Sequence, residues 1–333
     1  MAKKVTVCIP AYNAEKTVGA ALESVLSQSY GDLSVLVYDD GSSDGTAEAV
    51  EAFSDKRVKL IRGGTNRGGV AARSALIRAV KTGLCMWLDA DDRWIRDGFV
   101  SEAVKAQRKQ GYDMVNFVRI RHVGSGKEPF VEPEEGRFCH RSFSYCGDEL
   151  FRKFFPTDNH FVFYSKMFKT ELLRKSVPDD LLQAGKRYCA DDMFFSAMWW
   201  FNARSYLHVA DNDPFYEYRD DVGVWGSRTG DVSLKRFGEL CVLQHAVASS
   251  LLGRMSRTRP LSQADLEALT LGVNLPMTAR IIGMVRKEIG SEYAGRLAGI
   301  WHMAFCRDGT HPFNGIDAIC LPQHCAALER MML

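Results

Sequence analysis

A rhythm in the first 92 residues constrains this chain more than any other feature. Short apolar runs recur at Val5–Ile9, Leu33–Tyr38, Val58–Ile61 and Leu84–Leu88, the first of them rich in β-branched residues. Between them lie stretches with helical spacing: Val18, Leu22, Val25 and Leu26 within Ala14–Ser29, a polar loop leading into a run through Phe53, and Gly69–Thr82. Two parallel strands cannot be joined by a tight turn, and a helix supplies the crossover; this alternation therefore predicts a parallel sheet covered on both faces. With both faces covered, ligands meet such a sheet at the carboxyl ends of its strands.

Beyond Asp92 the rhythm loosens. Phe99–Gln110 reads as a helix and Met114–Ile120 as a strand, while Val123–Gly136 is loop-like in its Gly, Pro and Glu content. From Phe138 to Tyr218 aromatic residues are dense; most must be core, with a few left to line a pocket for a flat or cyclic ligand. From Val232 onward the pattern is helical, broken near Pro260, Pro276 and Pro312, so three parts are expected: 1–100, 101–231 and 232–333.

The formal net charge of +2 argues neither for nor against an anionic partner, and no basic, aromatic-interleaved strand points to nucleic acid. Nine cysteines in a chain of 333 residues form no regular framework, which fits the reducing cytoplasm. The apolar run after Lys3 and Lys4 meets Pro10 too soon for a signal peptide, and Leu240–Gly253 is too short to span a membrane. A small basic surplus in 232–333 is compatible with peripheral association with an anionic membrane face. Pairs spaced four apart, His302 with Cys306 and Cys320 with His324, and the group Cys139, His140 and Cys146, lack the loop signature of a zinc site and read as packed or exposed residues. The glycine loops of dinucleotide oxidoreductases and P-loop enzymes are absent.

Three polar loops would meet at the carboxyl edge: Pro10-Ala11-Tyr12-Asn13, Asp39–Asp44, and Asp89–Asp92. Asp89, Asp91 and Asp92 crowd three carboxylates into four positions. Like charges so close are tolerated when a cation sits among the oxygens, and hard oxygen ligands suit Mg²⁺ or Mn²⁺. Taken alone, the segment reads more readily as an acidic surface turn before a helix starting near Trp94. Arg73, on the third helix, is the basic side chain within reach.

Ile9-Pro10-Ala11-Tyr12-Asn13, Tyr38–Thr46, Asn66-x-Gly68 with Ala72-Arg73, and Leu88-Asp89-Ala90-Asp91-Asp92 resemble, in order and spacing, the successive motifs of family 2 glycosyltransferases. The resemblance implies a GT-A fold, an α/β architecture with a Rossmann-like, mostly parallel central sheet flanked by helices, here with a helical C-terminal region. It implies an inverting enzyme that moves a sugar from a nucleotide-diphosphate donor, a UDP-sugar by the commonest pattern, to an acceptor hydroxyl. The acceptor would be a surface glycan or its lipid-linked precursor at the inner membrane face. Residues 1–100 would then bind the nucleotide-sugar and 101–231 would carry the acceptor side and the base.

By the same resemblance, Pro10 and Tyr12 border the nucleoside, Asp40 accepts from the base, and Arg73 lies near base or diphosphate. Asp89 faces ribose or sugar, and Asp91 is the principal ligand of Mg²⁺ or Mn²⁺ with Asp92 close by. Ala190-Asp191-Asp192-Met193 occupies the place of the family's Glu-Asp pair, with Asp191 where Glu is usual. This makes Asp192 the catalytic base and Asp191 a neighbour that raises its proton affinity. Tyr216-Glu217-Tyr218-Arg219 and Ser227-Arg228-Thr229 resemble a segment that folds over the donor phosphates, so Arg219 and Arg228 are donor-binding candidates. The chain departs from the family after Arg73, where Ser74-Ala75 stand in place of an Asn and a nearby Gly. Two other functions remain open at this level: a sugar-1-phosphate nucleotidyltransferase and a non-catalytic nucleotide-sugar-binding protein.

Overall fold

The computed structural model describes residues 4–117, 120–124, 128–131, 141–155, 162–179, 182, 191–210, 213–219 and 250–269. β1 (Val5–Ala11), β2 (Leu33–Asp39), β3 (Val58–Arg62) and β4 (Leu84–Trp87) are the four expected strands, all mutually parallel. They alternate with α1 (Val18–Leu26), α2 (Thr46–Glu51) and α3 (Gly69–Ala79). Their order in an eight-stranded sheet is β3-β2-β1-β4, continued by β10-β6-β11-β9. These last are β6 (Met114–Phe117), β9 (Phe143–Cys146), β10 (Lys166–Lys169) and β11 (Ser205–Val209).

Alternation along β1 decides what each face holds. Val5, Val7, Ile9 and Ala11 join Val18, Leu22 and Val25 of α1 and Phe99, Val100 and Val104 of α4 (Phe99–Arg108) in one buried cluster. Each fully buried Val, Leu or Ile there contributes roughly 1.5–3 kcal/mol. Cys8, Cys85 and Trp87 lie at the alternate positions and are equally buried. On that side the Trp87 ring lies 4.6 Å from Phe163, which meets Phe195 edge-on at 5.2 Å.

The helix expected over Phe99–Gln110 is present as α4, and the alternative of a helix starting near Trp94 is not, because Arg93–Trp94 form a short strand, β5, paired antiparallel with β12 (Tyr216–Arg219). With β7 (Ile120–Val123) and β8 (Phe130–Val131) these make a second sheet, ordered β5-β12-β7-β8, so part of the expected loop at 123–136 is strand. β10 runs antiparallel to both β4 and β6, so the central sheet is mixed where it leaves the first four strands.

The chain divides into two compact units: 1–150 with 161–195 and 202–229, and 151–160 with 196–201 and 230–333. In the second, Phe154 stacks on Trp200 at 5.3 Å and Arg259 lies over Phe201 at 4.3 Å. Its described C-terminal stretch is helical over 250–258 and at Gln263–Leu269. Burial would raise the Asp265 carboxyl, but bonds from Arg259 and Ser262 prevail and hold it down at about 2. His302, Cys306, Cys320 and His324 lie outside the described residues, as do Cys139 and His140. Among the described residues no helix is long and apolar enough to cross a membrane.

Candidate active site

The carboxyl ends of β2, β1 and β4, three neighbours in the sheet, carry the loops singled out by the sequence. Pro10 is half-buried at the end of β1, and Tyr12 beyond it is 43% exposed, so its ring is available to a ligand. Asn13 adopts φ +50°, a conformation that asparagine tolerates better than most residues. Its Oδ1 accepts the Ser43 N–H at 2.9 Å, and its own N–H donates to Ser42 Oγ at 2.9 Å. Asp44 accepts N–H bonds from Glu15 at 3.2 Å and Thr46 at 3.1 Å. Short polar side chains thus tie the two loops backbone to backbone.

Asp40 is buried, with Oδ1 accepting the Arg67 N–H at 3.0 Å and Oδ2 the Gly68 N–H at 2.7 Å. In this structure it shapes the loop that enters α3. Gly41 sits at φ +69°, and a Cβ there would meet the Asn66 nitrogen at 2.6 Å, which requires glycine.

The acids after β4 take three different positions. Asp92 is 3% exposed: Tyr216 Oη donates to Oδ2 at 2.6 Å and the Arg219 N–H to Oδ1 at 2.9 Å. Both of its oxygens therefore fasten the turn to β12, and Arg219 is brought to the site by its backbone. Asp91 is half-buried, and Asp89 pairs with Arg73 at 3.2 Å. Burial, then the neighbouring Asp89, push Asp91 up to about 6; burial, Asp89 and Asp91 push Asp92 up to about 8. Neighbouring carboxylates thus raise the proton affinity of Asp91 and of Asp92.

Arg73 also approaches Asp192, its Nη2 lying 3.6 Å from Oδ1. Asp192 lies in the first turn of the Asp191–Asn202 helix. The structure therefore brings Asp192, from over a hundred residues away, to the rim holding Asp89. The Asp191 side chain and Arg228 lie outside the described residues.

Among the described residues no three His, Cys, Asp or Glu side chains converge into a metal cage. The hard oxygens of Asp91 and Asp89 fit a dication that draws its other ligands from donor phosphates and water, as Mg²⁺ commonly does.

The sequence profile described as Glycosyl transferase family 2 matches residues 6–176, over half of the chain. The chain belongs to glycosyltransferase family 2. It is 41% identical over 91 residues to UDP-Glc:alpha-D-GlcNAc-diphosphoundecaprenol beta-1,3-glucosyltransferase WfgD of Escherichia coli, a match covering 27% of this chain and 36% of WfgD. To the amylovoran biosynthesis glycosyltransferase AmsB of Erwinia amylovora it is 31% identical over 122 residues, 35% of this chain and 40% of AmsB. The matched stretch is thus well under half the length of these relatives. The fold resembles that of S. aureus TarS 1-349 in complex with UDP-GlcNAc, with a TM-score of 0.64 at 17% identity, covering 98% of this chain and 87% of that one.

Sequence reasoning assigned no role to three side chains of this family 2 site. Tyr216 holds Asp92; Phe163 and Trp87 flank Arg73, their ring centroids 4.5 Å and 5.5 Å from its guanidinium carbon. Tyr216 stood within a recognised motif, whereas Phe163 carried no signal beyond the local abundance of aromatics.

Proposed function

We propose that this chain is an inverting glycosyltransferase that moves a sugar from a UDP-sugar to an acceptor hydroxyl with help from Mg²⁺ or Mn²⁺. The observation that supports this is the meeting of Asp89, on the acidic rim that also carries Asp91, with Asp192 across one guanidinium. Pro10 and Tyr12 border the nucleoside, Asp40 fixes the loop beneath it, and Arg219 and Arg228 lend charge to the diphosphate. Asp91, supported by Asp89, would hold the cation, while Asp92 braces the turn that presents them. When bound, the cation stabilises the charge gathering on the departing diphosphate. Asp192, with Asp191 beside it, takes the acceptor proton on the face of the sugar opposite the leaving group, which is what inversion demands.

WfgD is named for a UDP-Glc donor and a GlcNAc-diphosphoundecaprenol acceptor, and AmsB for amylovoran biosynthesis. The acceptor proposed here is accordingly a growing surface glycan or its lipid-linked precursor, met from the cytoplasm at the inner membrane face. The 232–333 part is proposed as a helical appendage to the catalytic parts 1–100 and 101–231.

Thermal unfolding in the presence of UDP-Glc, UDP-GlcNAc and other nucleotide sugars, with Mn²⁺ or EDTA, tests the reading. One donor should raise the melting temperature only with the metal, and turnover should release UDP. Release of pyrophosphate from a nucleoside triphosphate and sugar phosphate, or no stabilisation by any nucleotide sugar, would overturn it.

A further inference from the structure

Arg73 is 7% exposed, and its guanidinium already has neighbours within the protein. It lies over the Phe163 ring at 4.5 Å, and one nitrogen, Nη2, stands 3.2 Å from Asp89 Oδ1 and 3.6 Å from Asp192 Oδ1. Asp89 follows β4, whereas Asp192 belongs to the Asp191–Asn202 helix, so no shared element fixes the distance between them. Two carboxylates brought this close repel unless a cation lies between them. A guanidinium suits that task because it is planar, stays charged and lies flat on an aromatic ring.

We infer that Arg73 is a positioning residue, holding Asp192 in place against the donor acids and so serving turnover rather than donor affinity. The inference rests on the reading of Asp192 as the base, and it replaces the donor-contact role that the family resemblance implies for Arg73. Lysine at this position would keep the charge but lose the planar group that lies on the Phe163 ring while its Nη2 faces both acids.

The test uses the full chain with UDP-Glc and UDP-GlcNAc, Mn²⁺, and water as acceptor. Donor affinity is measured by calorimetry and turnover by UDP release, for wild type, Arg73→Lys, Asp192→Asn and the double variant. Arg73→Lys should lose about 100-fold in turnover, the scale of a displaced general base. Donor affinity should stay within about threefold, as expected when an interaction serves only the transition state. In the Asp192→Asn background the lysine substitution should cost nothing further, since residues acting through one another are not additive. Phe163→Leu, which removes the ring beneath the guanidinium, should show a smaller loss of turnover at unchanged donor affinity, and it carries the test should Arg73→Lys not fold.

Additive losses in the double variant, a tenfold or larger loss of donor affinity with turnover kept (~1.4 kcal/mol), or wild-type turnover in Phe163→Leu would overturn the inference alone. A wild-type protein that binds neither nucleotide sugar, or binds without turnover, would overturn the functional reading and the inference with it.

Discussion

The strands β3-β2-β1-β4 and the strands β10-β6-β11-β9 share one sheet but are built differently. In the first group every pair is parallel and each connection is a local helix. Its loops are tied by short side chains bonded to the backbone of the loop after the next strand, Asn13 to Ser43 and Asp40 to Gly68. In the second group β10 enters antiparallel between β4 and β6 from far along the chain. Its interior is polar: Lys166 is fully buried, its Nζ donating to the Val162 carbonyl at 2.9 Å and Ser165 Oγ at 3.2 Å, while Ser165 donates to Asn116 at 2.8 Å. The first group is thus built from successive strand–helix units and the loops between them. The half that presents Phe163 and Asp192 depends on contacts between distant segments.

The largest effects should separate the two halves by function. Asp91→Asn is expected to abolish metal-dependent donor binding, and equal donor affinity in calorimetry would contradict it. Asp192→Asn should leave donor binding nearly intact and cut transfer by roughly 10²–10⁴-fold; retained turnover would end the assignment of the base.

Stability should distinguish the halves next. Asp40→Ala strands two backbone N–H groups and should cost about 2 kcal/mol in urea unfolding. A cost near zero would mean that the donor loops do not need this anchor. Lys166→Met removes a buried donor of two bonds and should cost about 1–3 kcal/mol, with turnover falling too if the 162–165 turn must hold Phe163. Wild-type turnover in a destabilised Lys166→Met would show that this polar interior serves the fold alone.

The smallest effect concerns pH. Asp91 and Asp92 are held at about 6 and about 8 in the fold, against an ordinary value of 3.8. The unfolded chain therefore releases these protons first, and stability falls as pH rises from the ordinary carboxylate range through those two values. Melting in EDTA should occur a few degrees lower at alkaline than at mildly acidic pH, and Mn²⁺ should narrow the gap. A gap unchanged in Asp92→Asn would assign the effect to other groups.

The place of most of the candidate site residues at the carboxyl edge of the sheet was legible from sequence because each loop directly follows its strand. A strand, a following polar loop and a capped helix occupy successive residues, and Pro10, Tyr12, Asp40, Asp89 and Asp91 follow from that register. Asp92 was read as a near ligand of the cation, yet its oxygens are bonded to Tyr216 and Arg219. Nothing in the spacing of Asp89-Ala90-Asp91-Asp92 tells which acid faces inward. β5 and β12 were missed for a similar reason: a two-residue strand carries no periodicity, and its pairing is fixed by a partner more than a hundred residues away.

The parallel strands, the sheet edge where their loops gather and the residue types on those loops are written in the chain, since the period of apolar residues and the loop chemistry are properties of neighbours along it. That Asp92 gives both oxygens to Tyr216 and Arg219, and that one arginine joins Asp89 to Asp192, came only with the folded chain. Those relations depend on which surfaces are buried together, and burial is settled by packing between segments that no local pattern relates.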